Sequence, residues 1–319
     1  MRETLRPVLK YWAKYHWSNI VAMIRNMSAS PDTCDLEFRD RQVVITGATS
    51  GIGYLTARKY ASRGARLLTI NRSEEKSGAL REEIQRDFGT TCDYLIADLS
   101  CLEDIHRVGK ALVGLAEPID VLIHNAGPYL SRRTLTKDGL EMSFAVHFLA
   151  PFVINCLLRE KMQRDRQGRI IFVNSEGYRF AVWGLRLDDL QWEKRRYGGL
   201  KAYGAAKMAQ ILGMHVLAKE LRASGVTVNA MHPGMVRTNT GRENRRLYRW
   251  YKQHIIDQLS QPADISAKAL YYLGVSPALA GVTDRFFHLT RKEELAPPAL
   301  DREAAEKLWQ ISLKLGRLQ

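Results

Sequence analysis

The chain has 319 residues, 45% of them hydrophobic, with four cysteines and a formal net charge of +14. That length suits one large α/β domain with an extension, and the apolar fraction is enough for a real core. No run approaches the roughly 20 apolar residues of a membrane-spanning helix, and Lys10, Lys14 and His16 interrupt the N-terminal stretch where a signal peptide would be apolar. Cys34, Cys92, Cys101 and Cys156 show no metal-ligand spacing. Reduced thiols, a cytoplasmic protein and no metal site are therefore expected. The positive charge suits nucleic acid, an anionic membrane surface or an acidic cofactor. Zinc spacing, a helix-turn-helix pattern and RNA-binding aromatics are all missing, so no specific nucleic-acid binding is expected.

Residues 1–38 read as an extension. From Arg6 to Met27, residues such as Val8, Trp12, Ile20 and Ile24 mix with Lys10, Lys14 and Arg25. This pattern fits a basic amphipathic helix that either lies on a membrane surface or packs on its own domain or a second subunit. Ser28 to Asp32 reads as the following linker. Residues 39–319 form the second region, where strand and helix alternate. Strands are expected at Gln42–Thr46, Arg66–Ile70, Cys92–Ala97, Ile119–His124, Arg169–Asn174, Val226–Met231 and Val282–Phe287. Helices are expected at Ile52–Arg63, Glu74–Phe88, Leu140–Lys161 and Leu200–Ala223. Short apolar strands between helices indicate a Rossmann-like doubly wound parallel sheet of about seven strands, covered on both faces. In such folds ligands sit at the carboxyl ends of the strands.

Thr46-Gly47-Ala48-Thr49-Ser50-Gly51-Ile52-Gly53 follows the first strand and opens a helix. Glycine lets backbone N–H groups approach a pyrophosphate, and a helix N-terminus favours its charge. The spacing is neither GxGxxG nor a P-loop. The second strand ends at Asn71-Arg72, where NAD-preferring sites usually carry a carboxylate. Arg72 can instead face a 2′-phosphate, which favours NADP(H) and leaves NAD(H) open. Asp98-Leu99 follows the third strand, and Asp98 can accept from an adenine amino group or cap the next helix. Asn125-Ala126-Gly127 follows the fourth strand and lets backbone pass close to a cofactor. Tyr203 and Lys207 lie four apart and share one helix face. An ammonium beside a phenol makes the phenol a better acid, which points to carbonyl and alcohol redox chemistry.

Taken in order, these pieces resemble the short-chain dehydrogenase/reductase family over about residues 40–290. The matching motifs are TGxxxGxG at 46–53, NAG at 125–127, Ser175, YxxxK at 203–207, and PGxVxT at Pro233, Gly234, Val236 and Thr238. Arg169 to Ser175, the insertion carrying Asp188-Asp189-Leu190, and the C-terminal Ser276-Pro277 and Lys307-Leu308-Trp309 segments are similar to the branch containing retinol dehydrogenases and WW-domain oxidoreductases. The resemblance implies hydride transfer between nicotinamide and a carbonyl or alcohol carbon. It implies that Tyr203 gives or takes the proton, that Lys207 holds the nicotinamide ribose, and that Ser175 orients the substrate oxygen. The Pro233–Thr238 loop would close over the nicotinamide. The family commonly has an Asn in the helix after the fourth strand, completing a proton relay. The matching residue here is His147. It either substitutes in that relay, packs without a proton role, or marks a weakened enzyme. The segment from Thr238 to Pro262 would be the substrate lobe, and its Arg242, Arg245, Arg246, Arg249 and Lys252 alternate with aromatics. With Phe180, Trp183 and Leu185 after Ser175, the expected substrate is a small lipophilic carbonyl or alcohol. Family members often pair through the helices around 140–160 and 200–222, which leaves a homodimer open. The competing reading is a cofactor-binding regulatory or interaction protein of the same fold.

Overall fold

The computed structural model describes residues 10–15, 30–234 and 262–319. Its centre is an eight-stranded sheet in the order β3-β2-β1-β4-β5-β6-β7-β8. The strands are β1 (Gln42–Thr46), β2 (Arg66–Asn71), β3 (Cys92–Ile96), β4 (Val121–His124), β5 (Arg169–Val173), β6 (Thr227–His232), β7 (Arg285–His288) and β8 (Arg291–Glu293). All neighbours run parallel except β7 and β8, which pair antiparallel with Phe287 opposite Lys292. The sequence reading lacked β8. Its three residues, Arg291-Lys292-Glu293, carry no apolar pattern and pair in the sheet with β7 alone.

The helices are α1 (Gly51–Ala61), α2 (Glu74–Phe88), α3 (Leu102–Val113), α4 (Met142–Asp165), α5 (Gly199–Glu220), α6 (Ala263–Val275) and α7 (Arg302–Leu315). Local chemistry sets their ends. Ser73 accepts from the Lys76 N–H at 3.3 Å, Glu74 and Glu75 occupy the first turn of α2, and Gly89 ends that helix at φ +67°. Glu141, fully buried, accepts from the Ser143 and Phe144 N–H groups at 3.0 and 2.8 Å and starts α4. Residues Ala145–Leu149 then form a π-helical turn inside α4. Such turns recur at functional sites, and this one carries His147.

One face of the sheet buries Val44, Leu122, Ile170 and Val228 against α3, α4 and α5. The other buries Val43, Ile45, Ile123 and Met231 against α1, α2 and α6. Adjacent residues of β1 thus face opposite layers, and both are apolar. By length and composition α4 could cross a membrane, a run the sequence reading did not find, but 78% of its apolar window is buried inside the fold. The C-terminal helix α7 packs on α5. Trp309 meets Phe152 of α4 edge-on at 4.8 Å. The C-terminal helix therefore rests on both helices through which the resemblance implies pairing.

Candidate active site

The carboxyl ends of β1, β2 and β4 converge on a glycine turn. Gly47 lies at φ +70° and Gly51 at φ +57°, a backbone region that favours glycine. A Cβ on Gly53 would stand 2.2 Å from the Gly47 carbonyl oxygen, so the helix approaches the turn too closely for any side chain. The turn is clamped by neutral side chains. The Thr46 hydroxyl accepts from the Asn125 and Ala126 N–H groups, each at 3.0 Å. The Asn125 amide donates to the Thr46 and Gly47 carbonyls at 3.1 and 2.9 Å. Asn71 accepts from the Ala48 N–H at 2.8 Å and donates to Thr69 and Ser77. The sequence reading weighed Asn71 only as a missing carboxylate. Its work here is to tie β2 to the turn.

At the head of α1, Ser50 makes no side-chain cap and the first turn has no acidic residue. A Cβ on Gly51 would meet open space. The uncapped N–H groups beside an open, uncharged cradle fit a pyrophosphate. Ile52 is buried at the start of α1, and Leu99 joins the core beneath the third strand's end. Arg72 is exposed at the end of β2. Among the described residues it makes no ion pair, so its guanidinium is free for a phosphate. Asp98 accepts from the N–H and hydroxyl of Ser100 at 2.9 and 2.8 Å. It thus caps this turn with one carboxylate oxygen. Pro233 and Gly234 follow β6, and the Pro233 carbonyl accepts from Ser266 at 2.7 Å. Val236, Thr238 and the 238–262 lobe lie outside the described residues, apart from Pro262.

Ser175, Tyr203, Lys207 and His147 come together beside this turn. Burial raises the pKa of the Tyr203 phenol, and the neighbouring Ser175 hydroxyl, packed with it against Gly177, opposes that rise. The ammonium of Lys207 donates to the Val173 carbonyl at 2.7 Å and stands 5.8 Å from the Tyr203 ring centre. Burial pushes Lys207 down to about 7. The sequence reading had Lys207 lowering the phenol. In the structure burial dominates both groups and drives each toward its neutral form. Asn174, not singled out from the sequence, orients the pair. Its carbonyl oxygen accepts from the Ser175 N–H at 2.8 Å, and its amide donates to the Lys207 carbonyl and to Gln210 at 3.0 and 2.7 Å. A polar residue buried at a strand end next to Ser175 was the available signal.

His147 packs edge-on against Tyr203 with ring centres 5.3 Å apart. Its Nε2 lies 2.8 Å from the Pro128 carbonyl, which can only accept, so Nε2 carries the hydrogen. Nδ1 is buried without a partner. Burial, with Lys207 nearby, holds the ring well below its ordinary pKa and therefore neutral. A Cβ on Gly127 would stand 1.9 Å from the His147 ring, so the glycine of NAG makes room for this histidine. The backbone carbonyl of His147 is occupied by Gln210 at 2.8 Å.

Beyond Ser175 the chain forms a short 3-10 helix, Glu176–Phe180. Arg179 of that helix pairs with Glu176 and, at 3.2 Å, with Glu293 of β8. Burial and a hydrogen bond to Glu293 raise Glu176 to about 7. Two carboxylates and one guanidinium thus share a confined space directly behind Ser175. The sequence reading missed this group because β8 brings Glu293 there from more than a hundred residues away. Phe180 and Trp183, expected to line an apolar pocket, are 51% and 37% exposed.

Comparison with known proteins decides the family. The model described as short chain dehydrogenase matches residues 41–184, and one described as enoyl-(acyl carrier protein) reductase matches 190–288. The chain belongs to the short-chain dehydrogenase/reductase family. It is 32% identical to human retinol dehydrogenase 13 over 287 residues, covering 88% of this chain and 85% of that protein. It is 35% identical to mouse retinol dehydrogenase 14 over 289 residues, covering 85% and 84%. Human WW domain-containing oxidoreductase is 30% identical over 290 residues, covering 88% and 69%. Among solved structures, a short-chain dehydrogenase from Sphingobium yanoikuyae in complex with NADPH superposes with a TM-score of 0.58 at 26% identity, covering 73% of this chain and 83% of that one.

Proposed function

We propose that this short-chain dehydrogenase/reductase is an NADP(H)-dependent oxidoreductase acting on a lipophilic carbonyl or alcohol, with Tyr203 as its general acid and base. The observation that carries the reading is the convergence of Ser175, Tyr203 and Lys207: Lys207 stands 5.8 Å from the Tyr203 ring centre, and Gly177 packs against both the Tyr203 ring and the Ser175 hydroxyl. The turn from Thr46 to Gly53, with Asn125 to Gly127, would hold the dinucleotide, and the exposed Arg72 would hold a 2′-phosphate. Bound NADP(H) supplies or accepts the hydride. Tyr203, kept neutral by burial, gives its phenolic proton to the substrate oxygen in reduction and takes it back in oxidation. Ser175 steadies that oxygen as charge develops. The retinol dehydrogenases it resembles favour a lipophilic substrate.

The test is consumption of NADPH and NADH against a panel of lipophilic aldehydes and ketones, with Tyr203→Phe as control. Turnover that prefers NADPH and disappears in Tyr203→Phe is expected. Tight NADPH binding without turnover on any panel member would favour a regulatory protein. The tethered ring and engaged carbonyl of His147 are the features that would suit that outcome.

A second reading concerns location. Trp12 is 71% exposed and meets Trp183 at 6.4 Å, while Tyr15 donates to the Val182 carbonyl at 2.9 Å. With Phe180, these residues make an exposed aromatic patch beside Lys14, which suits peripheral contact with an anionic membrane. Co-sedimentation of the full chain with anionic liposomes tests it, and protein that stays in solution overturns it.

A further inference from the structure

A cavity of about 630 Å³ lies between the N-terminal segment at residues 10–15, the β7–β8 hairpin and the start of α7. None of Ser175, Tyr203, Lys207, His147 or the glycine turn lines it. Its size falls within the range of small-molecule sites, roughly 300–1,000 Å³. Its inner wall is apolar, formed by Phe286, Leu295, Pro297 and Leu300. Phe286 and Leu295 are buried core residues, so this wall is fixed by the fold.

The charges around the cavity do not balance. Asp301 is taken by Lys10 at 2.5 Å and by the Tyr11 phenol at 2.6 Å. Asp284 is taken by His215 and by Arg302, the latter at 3.0 Å. Glu293 is taken by Arg179. Of the remaining lining groups, Lys14 and Lys292 make no ion pair among the described residues. Among the described residues the Arg285 guanidinium donates only to the Asp284 carbonyl, at 3.2 Å. Glu294 is the single lining carboxylate left without an ion pair among the described residues. Among the described residues, three cations without an ion pair therefore face one such anion around an apolar wall. Unpaired like charges around a cavity repel one another, and an entering anion relieves that repulsion.

We propose that this cavity is a second binding site that takes an organic anion, a carboxylate or phosphate carried on an apolar body. Lys14, Arg285 and Lys292 hold the head group, and Phe286, Leu295 and Leu300 cover the body. A carboxylate or phosphate can accept from Arg285 in bidentate fashion, while the lysines act as point charges. The Tyr11 backbone segment closes the cavity on the side where Lys10 anchors it to the head of α7.

Isothermal titration of the full-length protein with decanoate, decyl phosphate, decanol and inorganic phosphate tests the site. One equivalent of decanoate or decyl phosphate is expected to bind, with decanol and inorganic phosphate each at least tenfold weaker. The double variant R285Q/K292Q, both positions being exposed, is expected to keep the wild-type melting temperature and to weaken the amphiphile at least tenfold. A preference for decyl phosphate points to a phosphate ester, and one for decanoate to a fatty carboxylate. Three outcomes would overturn the proposal: no amphiphile binds, decanol binds as well as decanoate, or R285Q/K292Q binds like the wild type.

Discussion

Around the glycine turn, Thr46, Asn71 and Asn125 engage backbone groups through neutral hydroxyl and amide hydrogen bonds. Around Ser175 the neighbours are ionisable: Tyr203, Lys207, Glu176, Arg179 and Glu293. The first region is set by shape and hydrogen-bond directions that pH does not alter. The second is set by burial acting on charge, so protonation changes it. Substitutions in the turn should therefore be felt as binding and stability, and those around Ser175 as rate and pH dependence.

The largest expected effect is Tyr203→Phe. Loss of a positioned acid and base lowers kcat about 10²–10⁴-fold. NADPH affinity, measured by fluorescence titration, should change little, since the hydroxyl faces Ser175. Equal loss of binding and turnover would mean that Tyr203 holds the turn region together and would erase the contrast. Next comes Gly127→Ala, whose methyl group would strike the His147 ring. Overpacking of this kind costs about 1–3 kcal/mol. Combining it with His147→Ala should recover much of the lost stability, because the obstacle is removed. Additive losses in urea unfolding would show that Gly127 is needed for its backbone alone.

Gly127 also shows what a sequence conveys. The glycine turn, the alternation of strands and helices and the Ser175, Tyr203 and Lys207 positions were legible because each is a local pattern along the chain, at a strand end or on one helix face. The identity of the neighbour that Gly127 spares was not, because His147 arrives from a helix twenty residues later. β8 was illegible for a related reason. Three charged or polar residues become a strand only because β7 offers an open edge, and with them comes Glu293 behind Ser175. Asn71 was read only as a missing carboxylate because the sequence does not show its buried position, which makes it a latch. The surface exposure of Phe180 and Trp183 was not legible, because it depends on how the segment after Ser175 docks: Gly204 abuts the Phe180 backbone and Cβ, and Trp183 meets Trp12.

Arg72→Ala sharpens the turn side of the comparison. Arg72 makes no ion pair among the described residues and is exposed, so stability should change little. The NADPH dissociation constant should rise about tenfold, equivalent to about 1.4 kcal/mol, and the NADH constant should stay level. A parallel rise for both cofactors would show that Arg72 does not read the 2′-phosphate.

The smallest effect separates the two regions most directly. Glu176 is raised from its ordinary 4.5 to about 7, first by burial and then by its hydrogen bond to Glu293. Between those values the folded protein keeps a proton that the unfolded chain has released, so stability falls as pH rises through that window. Lys207 is lowered from 10.5 to about 7 by burial. Above 7 the unfolded chain holds the extra proton instead, so this group makes stability rise toward 10.5. Glu176→Gln should flatten the acid limb of the melting temperature against pH by about a few degrees, and Lys207→Met should flatten the alkaline limb. Asn71→Ala should lower the whole curve without changing its shape, because its lost hydrogen bonds involve no titrating group. If Glu176→Gln runs parallel to the wild type, the carboxyl pair behind Ser175 holds no proton near neutrality, and the pH sensitivity of that region rests on Lys207 alone.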